Sequence, residues 1–199
     1  MRAAAPPLNM LVLASTSPYR RELLGRLGLE FTTFAPHLNE APLAGESAMA
    51  TAVRLALAKA RAAVATFPDA LIVGSDQVAE LDGVRLDKPG RRERAQEQLE
   101  RVSGREVVFH TAACLLEARN GRVQERLVST QVRFRTLSRS QISTYLDREQ
   151  PYDCAGSAKS EGLGIALLES IRGDDPTALI GLPLIAVVSM LRDAGMSVL

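Results

Sequence analysis

The sequence predicts an α/β protein built on a mixed sheet, and three observations carry that reading. Short apolar runs at Leu11–Ala14 and Leu71–Val73 read as buried strands, with helical stripes between them. The middle third, from Val107 to Phe134, is a β-rich hairpin folded back at Asn120-Gly121, which favours a mixed sheet over a purely parallel one. The 199 residues show no internal repeat, low-complexity tract or linker, and they suffice for a sizeable core.

The elements follow in order. Leu11–Ala14 ends in Ser15-Thr16-Ser17-Pro18, where Ser17 fits an N-cap and Pro18 the first helical position. Leu23, Leu24 and Leu27 give that helix its buried stripe, and Gly28 closes it. Phe31–Pro36 reads as extended and residues 37–46 as a loop. An Ala-rich helix is expected from about Ser47 to Thr66, with Met49, Val53, Ala56, Leu57, Ala60 and Val64 on its buried face and Lys59 on a flank. The strand at Leu71–Val73 is expected to stop at Gly74-Ser75-Asp76-Gln77. Asp82-Gly83 signals a hairpin turn, and Lys88-Pro89-Gly90 a break. Ala95, Leu99 and Val102 mark a charged helix. Val107–Ala118 and the alternation around Val132 and Phe134 form the hairpin strands. Ser138 with Gln141 spells a capping box before Ile142, Tyr145 and Leu146. Residues 151–178 read as loop, and a last helix starts at Pro183 with Leu184, Ile185, Val188 and Leu191 inward.

Composition narrows the function classes. Lys+Arg 24 against Asp+Glu 23 leaves +1, so no global field argues for nucleic acid or a membrane surface. Two cysteines without C-x-x-C spacing exclude a disulfide scaffold, and two histidines leave no His-rich zinc site. Any metal here should be hard and oxygen-bound. No apolar run approaches the ~20 residues of a membrane helix, and the expected compartment is the cytoplasm.

Several residues stand out chemically. Ser15-Thr16-Ser17-Pro18-Tyr19-Arg20-Arg21 joins a strand, a hydroxyl-rich turn and a helix start, an arrangement that suits an anion. Its plainer reading is a good cap with solvated arginines. Asp76 can hold a hard cation or activate water, or it can make an Asx turn. Glu40, Lys59 and Lys88 each read alone as solvated charges. With Asp76 and Arg20 they form a parts list for handling a polyphosphate: carboxylates for a divalent cation, cations for phosphate oxygens. The stretch Gly156–Gly164 lets backbone approach a flat ligand but lacks the dinucleotide fingerprint.

Taken together, these stretches resemble the Maf family of nucleoside triphosphate pyrophosphatases over roughly residues 10–195. The matching segments are Leu11–Leu24, Asn39-Glu40, Arg54-Leu55-Ala56 with Lys59-Ala60, Gly74-Ser75-Asp76-Gln77, Lys88-Pro89, Ser103-Gly104 and the surroundings of Glu161. The resemblance implies an ITPase-like fold: an elongated mixed β-sheet flanked by helices, forming two lobes around a central cleft. It also implies hydrolysis of a nucleoside triphosphate to monophosphate and pyrophosphate with a divalent cation (Mg2+, Mn2+ or Co2+), as a hydrolase acting on acid anhydrides. By it Asp76 is the proton acceptor, Lys59, Lys88 and Arg20 are catalytic, and Glu40 and Asp76 are metal ligands. Ser15, Tyr19, Gln77 and Glu161 bind and select the substrate. Ser-Pro-Tyr-Arg, Ser-Asp-Gln and Lys-Ser-Glu-Gly, together with Gly173–Ile185, resemble the branch that hydrolyses 7-methyl-GTP, a house-cleaning of nucleotide pools. Tyr19 can stack on a cationic methylated guanine and Glu161 can accept from its edge. The expected partner is the nucleotide, with no nucleic acid and no membrane; a homodimer is left open. The other class of function is a nucleotide-binding regulator of septum formation without significant turnover. Asp87 departs from the glycine usual in the family at that position. Residues 1–9 have no counterpart and are expected to be a disordered extension before a single catalytic domain at 10–199.

Overall fold

The structure is a computed structural model describing residues 10–199; the expected extension over residues 1–9 lies outside the described residues. The elements run β1 (Leu11–Ala14), α1 (Pro18–Gly25), β2 (Phe31–Phe34), α2 (Ala48–Ala62), β3 (Leu71–Leu81), β4 (Val84–Leu86), α3 (Arg92–Val102), β5 (Glu106–Glu117), β6 (Arg122–Phe134), α4 (Arg139–Glu149), β7 (Leu168–Arg172) and α5 (Leu184–Asp193). Seven strands make one mixed sheet in the order β2-β1-β3-β5-β6-β7, with β4 paired to β3. The β2, β1 and β3 pairings are parallel and the others antiparallel, as the hairpin-rich middle of the sequence requires.

Strand alternation sorts the core into three clusters. On one face Leu11, Leu13, Leu71 and Val73 pack under α1 and α5 through Leu23, Leu24, Val187 and Met190. Farther along the same face Ala79, Leu81, Phe109 and Phe134 pack under α3 and α4 through Leu99, Val102, Ile142 and Leu146. These two cores make the two lobes. The opposite face, with Val12, Ile72, Ala112 and Cys114, is covered by α2.

Local chemistry explains the element starts. Ser17 caps α1 by accepting from the Arg20 N–H, with Pro18 at the first helical positions. Ser47 caps α2 and Ser138 with Gln141 closes a capping box on α4. Asp82 and Gly83 both hold positive φ, the backbone that a two-residue hairpin turn demands.

Several expectations need correction. The strand at Leu71–Val73 does not stop at Gly74: β3 continues to Leu81, because β5 pairs with it from Leu71 to Glu80. Helix α2 ends at Ala62, not Thr66, and its buried face is Ala48, Thr51, Ala52, Leu55, Ala56, Lys59 and Ala60. Met49 is exposed, and Lys59 is inside. The reason is steric. Ala48, Ala52, Ala56 and Ala60 form a row at i, i+4 spacing whose small side chains let the helix lie directly on β3. On α5, Ile185 points outward and Val187 and Met190 inward. Residues 151–178 are not all loop; Leu168–Arg172 adds β7 to the sheet edge. The Asn120-Gly121 hairpin closes through a four-residue turn, with Glu117 opposite Arg122 and only Gly121 at positive φ.

The contact of α2 with β3 is tightest at Gly74. A Cβ there would meet the Ala56 carbonyl oxygen at 2.1 Å and the Ala60 nitrogen at 2.9 Å. Both are backbone atoms, so the helix itself would have to move. Gly74→Ala is therefore expected to lower stability by about 1–3 kcal/mol, the usual scale for overpacking, and chemical denaturation measures it. Native-like stability in that variant would show that the helix shifts freely.

Candidate active site

The cleft arises from a gap in the sheet. Parallel pairing of β1 with β3 ends at Ala14 opposite Gly74, and antiparallel pairing of β4 begins at Ala79 opposite Leu86. Between them Ser75–Val78 is paired on its β5 edge only. That open edge borders a cavity of about 310 Å³, lined by residues from both faces of the strand. Asp76 is thus mid-strand by its own hydrogen bonding, yet just beyond the carboxyl end of its parallel neighbour.

The centre of the site is a buried ion knot. Lys59, on the inner face of α2, places its ammonium 2.6 Å from Asp76 Oδ1 and 2.9 Å from Glu40 Oε1. Lys59 and Asp76 are 5% and 6% exposed, so desolvation is severe and each charge needs the other. Burial alone would raise the Glu40 carboxyl. The hydrogen bond from Lys59, with the charges of Lys59, Lys88 and Arg20, outweighs it and holds Glu40 below its usual value. The loop carrying Glu40 is strapped to α2. Arg54 grips both oxygens of Glu46 at 2.6 and 2.7 Å and donates to the Ala41 carbonyl at 3.1 Å.

A polar strip between the lobes holds the far wall. Ser75, Gln77 and Thr111 lie where the two same-face cores part. Ser75 Oγ donates toward the carbonyls of Ala112 and Gly181, and Thr111 Oγ1 donates to that of Ala178. The Gln77 amide nitrogen lies 3.0 Å from the Ala178 and Leu179 carbonyl oxygens. Arg20 Nε donates to Gly181 at 2.7 Å, leaving its terminal nitrogens for the cleft. Burial lowers the Arg20 pKa while Asp76 and Glu40 pull it back up. Asp175 fixes the start of this segment by accepting from Thr177 and from the Ile185 N–H at the head of α5.

The remaining wall carries Tyr19, Glu161, Asp153 and Cys154. The Tyr19 hydroxyl donates to Asp153 at 3.1 Å, and the Lys159 ammonium lies 5.6 Å from the centre of its ring. Burial, with Cys154 and Asp153 beside it, pushes the phenol pKa up, so it stays protonated. Burial and Asp153 push the Cys154 thiol up to about 12, which leaves it unactivated.

Of the residues singled out from sequence, Tyr19, Arg20, Glu40, Lys59, Asp76, Gln77, Lys88 and Glu161 all line this one cavity. Ser15 does not. It is buried behind the wall, where its hydroxyl accepts from the Ser17 N–H at 3.1 Å, and Ser17 lines the cavity instead. The sequence reading missed Arg85, Asp153 and the carbonyls of the 178–181 segment. Only for Arg85 was a signal present: in Val84-Arg85-Leu86, alternation after the Asp-Gly turn turns the arginine away from the core. The residues also fit a divalent cation of the hard class. Asp76 and Glu40 bring two carboxylates to one point, and among the described residues no group of three or more His, Cys, Asp or Glu is placed to hold a metal ion. Such a pair suits an ion that shares the oxygens of a bound phosphate chain, not one held in a closed protein cage. Among the described residues no helix is long and apolar enough to cross a membrane.

Comparison with known proteins adds a second line. Residues 10–194 match the family described as Maf-like protein. The chain is 58% identical over 189 residues to the 7-methyl-GTP pyrophosphatase of Cupriavidus pinatubonensis, with 95% of each chain covered. It is 58% identical over 189 residues to the protein of the same name from Thiobacillus denitrificans, covering 95% of this chain and 94% of that one. For that of Methylobacillus flagellatus the identity is 54% over 194 residues, with 98% and 100% covered. The family match spans nearly every described residue, and most of the motifs that suggested it contribute residues to one cleft: the chain belongs to the Maf family.

Proposed function

We propose that this chain hydrolyses 7-methyl-GTP, and related modified nucleoside triphosphates, to the monophosphate and pyrophosphate in the cytoplasm. It is in this reading a hydrolase of nucleotide phosphoanhydrides with a house-cleaning role. The observation that carries the reading is the buried Lys59–Asp76–Glu40 knot, set in a cleft whose walls also bring Arg20, Lys88, Tyr19 and Glu161. Relatives named 7-methyl-GTP pyrophosphatase over almost their full length support the choice of substrate.

In this mechanism a water oxygen attacks the α-phosphorus while the bond to the bridging oxygen of the leaving group breaks. Lys59 occupies Oδ1 of Asp76, so Oδ2 takes the proton from the attacking water. Lys59 also keeps Asp76 oriented for that transfer. Arg20 and Lys88 offset the charge that builds on the phosphate oxygens and on the departing pyrophosphate. Glu40 and Asp76 would hold the divalent cation, which when bound neutralises charge along the phosphate chain. Gln77 holds the 178–181 segment, and through it Arg20, in place. At the other end Tyr19 presents a ring face and Glu161 an acceptor to a cationic guanine.

Three outcomes test this. Pyrophosphate, assayed apart from orthophosphate, should be released from 7-methyl-GTP only with divalent cation, and EDTA should abolish it; nucleoside diphosphate plus orthophosphate would mean that another bond is cut. Asp76→Asn should lose ~10²-fold or more in kcat. Because Glu40 still pairs with Lys59 there, circular dichroism should report a folded protein; full turnover in that variant removes Asp76 from the chemistry. Tyr19→Arg combined with Glu161→Gln should shift selectivity away from 7-methyl-GTP by about 10- to 1000-fold in kcat/KM relative to dTTP and UTP, since like charge replaces the π face. Equal loss on 7-methyl-GTP, GTP, dTTP and UTP would place these two residues in the fold or at the phosphates.

A further inference from the structure

We propose that Arg85 grips the pyrophosphate end of the bound nucleotide, a contact additional to Lys59, Lys88 and Arg20. This rests on the reading of the cleft as a nucleoside triphosphate site. Arg85 is the middle residue of β4. Its neighbour Leu86 is buried in the α3–α4 core, so alternation sends Arg85 to the opposite face, toward α2 and the cavity it lines.

Its partners there are poor. The side chain is 23% exposed, and Nε is fully buried with no hydrogen-bond partner. Nη1 reaches Thr51 Oγ1 only at 3.5 Å, and that hydroxyl is already engaged with the Ser47 carbonyl and Glu46 at 2.9 Å. Nη2 reaches Asp87 Oδ1 at 3.4 Å, a carboxylate that is 77% exposed and screened by water. Glu80, opposite Arg85 on β3, makes no ion pair with it among the described residues. Arg54 and Arg92, by contrast, are closed by carboxylates at 2.6 Å. A guanidinium withdrawn from water with a free Nε–H is costly unless a ligand completes it.

Two arguments name that ligand. The oxyanions of a nucleotide are its phosphates, which match the planar fork of arginine, whereas a cationic base would be repelled. Position then selects the phosphate. Thr51, Leu55 and Lys59 share one face of α2, and Thr51 lies eight positions before Lys59. At roughly 1.5 Å per residue that is about 12 Å along the helix. Arg85 therefore enters from the end of the cleft away from Lys59 and Asp76, and its long side chain meets groups beyond the reacting α-phosphorus. These are the β- and γ-phosphates that leave together.

Isothermal titration of inorganic pyrophosphate with Mg2+, and separately of 7-methyl-GMP, into wild type and Arg85→Gln tests this. Pyrophosphate affinity should fall about tenfold or more while that for the monophosphate is retained, and KM for 7-methyl-GTP should rise in parallel. Unchanged pyrophosphate affinity, or an equal loss for both ligands, overturns the proposal. Should Arg85→Gln fail to fold, Arg85→Lys keeps the charge without the fork, and its pyrophosphate affinity should fall roughly threefold; wild-type affinity there also overturns it. If wild type releases no pyrophosphate from any nucleoside triphosphate, the catalytic reading fails, while binding of inorganic pyrophosphate still decides the role of Arg85.

Discussion

The rest of the molecule is arranged around one interaction, the ion pair between Lys59 on α2 and Asp76 on β3. Burying two charges costs several kcal/mol each, and the pair recovers this only at close range and in good geometry. Close range requires helix and strand to approach almost to backbone contact. The alanine row on α2 and the missing side chain at Gly74 provide that approach. The alanines therefore do more than favour helix. They set the distance at which a lysine can meet an aspartate across two elements, and Glu40 then joins from a loop that Arg54 and Glu46 strap to the same helix.

A second constraint is the unpaired edge of Ser75–Val78. A strand with partners on both edges offers side chains above and below the sheet but nothing along it. Where β1 has ended and β4 has not begun, both faces and the edge of β3 open to one space. Residues of opposite orientation, Asp76 toward α2 and Gln77 toward the 178–181 segment, can then border the same cavity. The polar strip of Ser75, Gln77 and Thr111 is the counterpart of this opening. It reaches the Leu179 carbonyl, and it adds to the bonds that Arg20 and the Gly181 N–H already give the carbonyls of Gly181 and Ala178, between two apolar cores.

The cleft gathers charge although the chain as a whole is nearly neutral. Cations come from four different segments, Arg20 after β1, Lys59 on α2, Arg85 on β4 and Lys88 after it. The acids Glu40 and Asp76 sit among them, while Asp153 and Glu161 stand on the Tyr19 wall, where Lys159 lies over the ring. Under the proposed function the cations face the phosphate chain and the Tyr19 wall faces the base.

Much of the fold was legible in the sequence because its signals are local. Ser17-Pro18, Ser138 with Gln141 and Asp82-Gly83 each act within a few residues, so caps and turns fell where their chemistry placed them. The motif residues could be gathered into one site in advance, since polyphosphate chemistry needs those charge types wherever they sit. What local patterning could not reach was decided by pairing and packing. Helix α2 turned Lys59 inward and Met49 outward because close contact with β3 rewards the smallest face, not the most apolar one. β3 ran past its polar residues because β5 pairs with it along nearly its whole length, and β7 emerged from an apparent loop because β6 offered an edge. For Arg85, alternation after the Asp-Gly turn points only away from the core and names no neighbour. Only the tertiary structure brings it to the cavity and leaves its buried Nε without a partner, because burial and hydrogen bonding depend on neighbours distant in the chain.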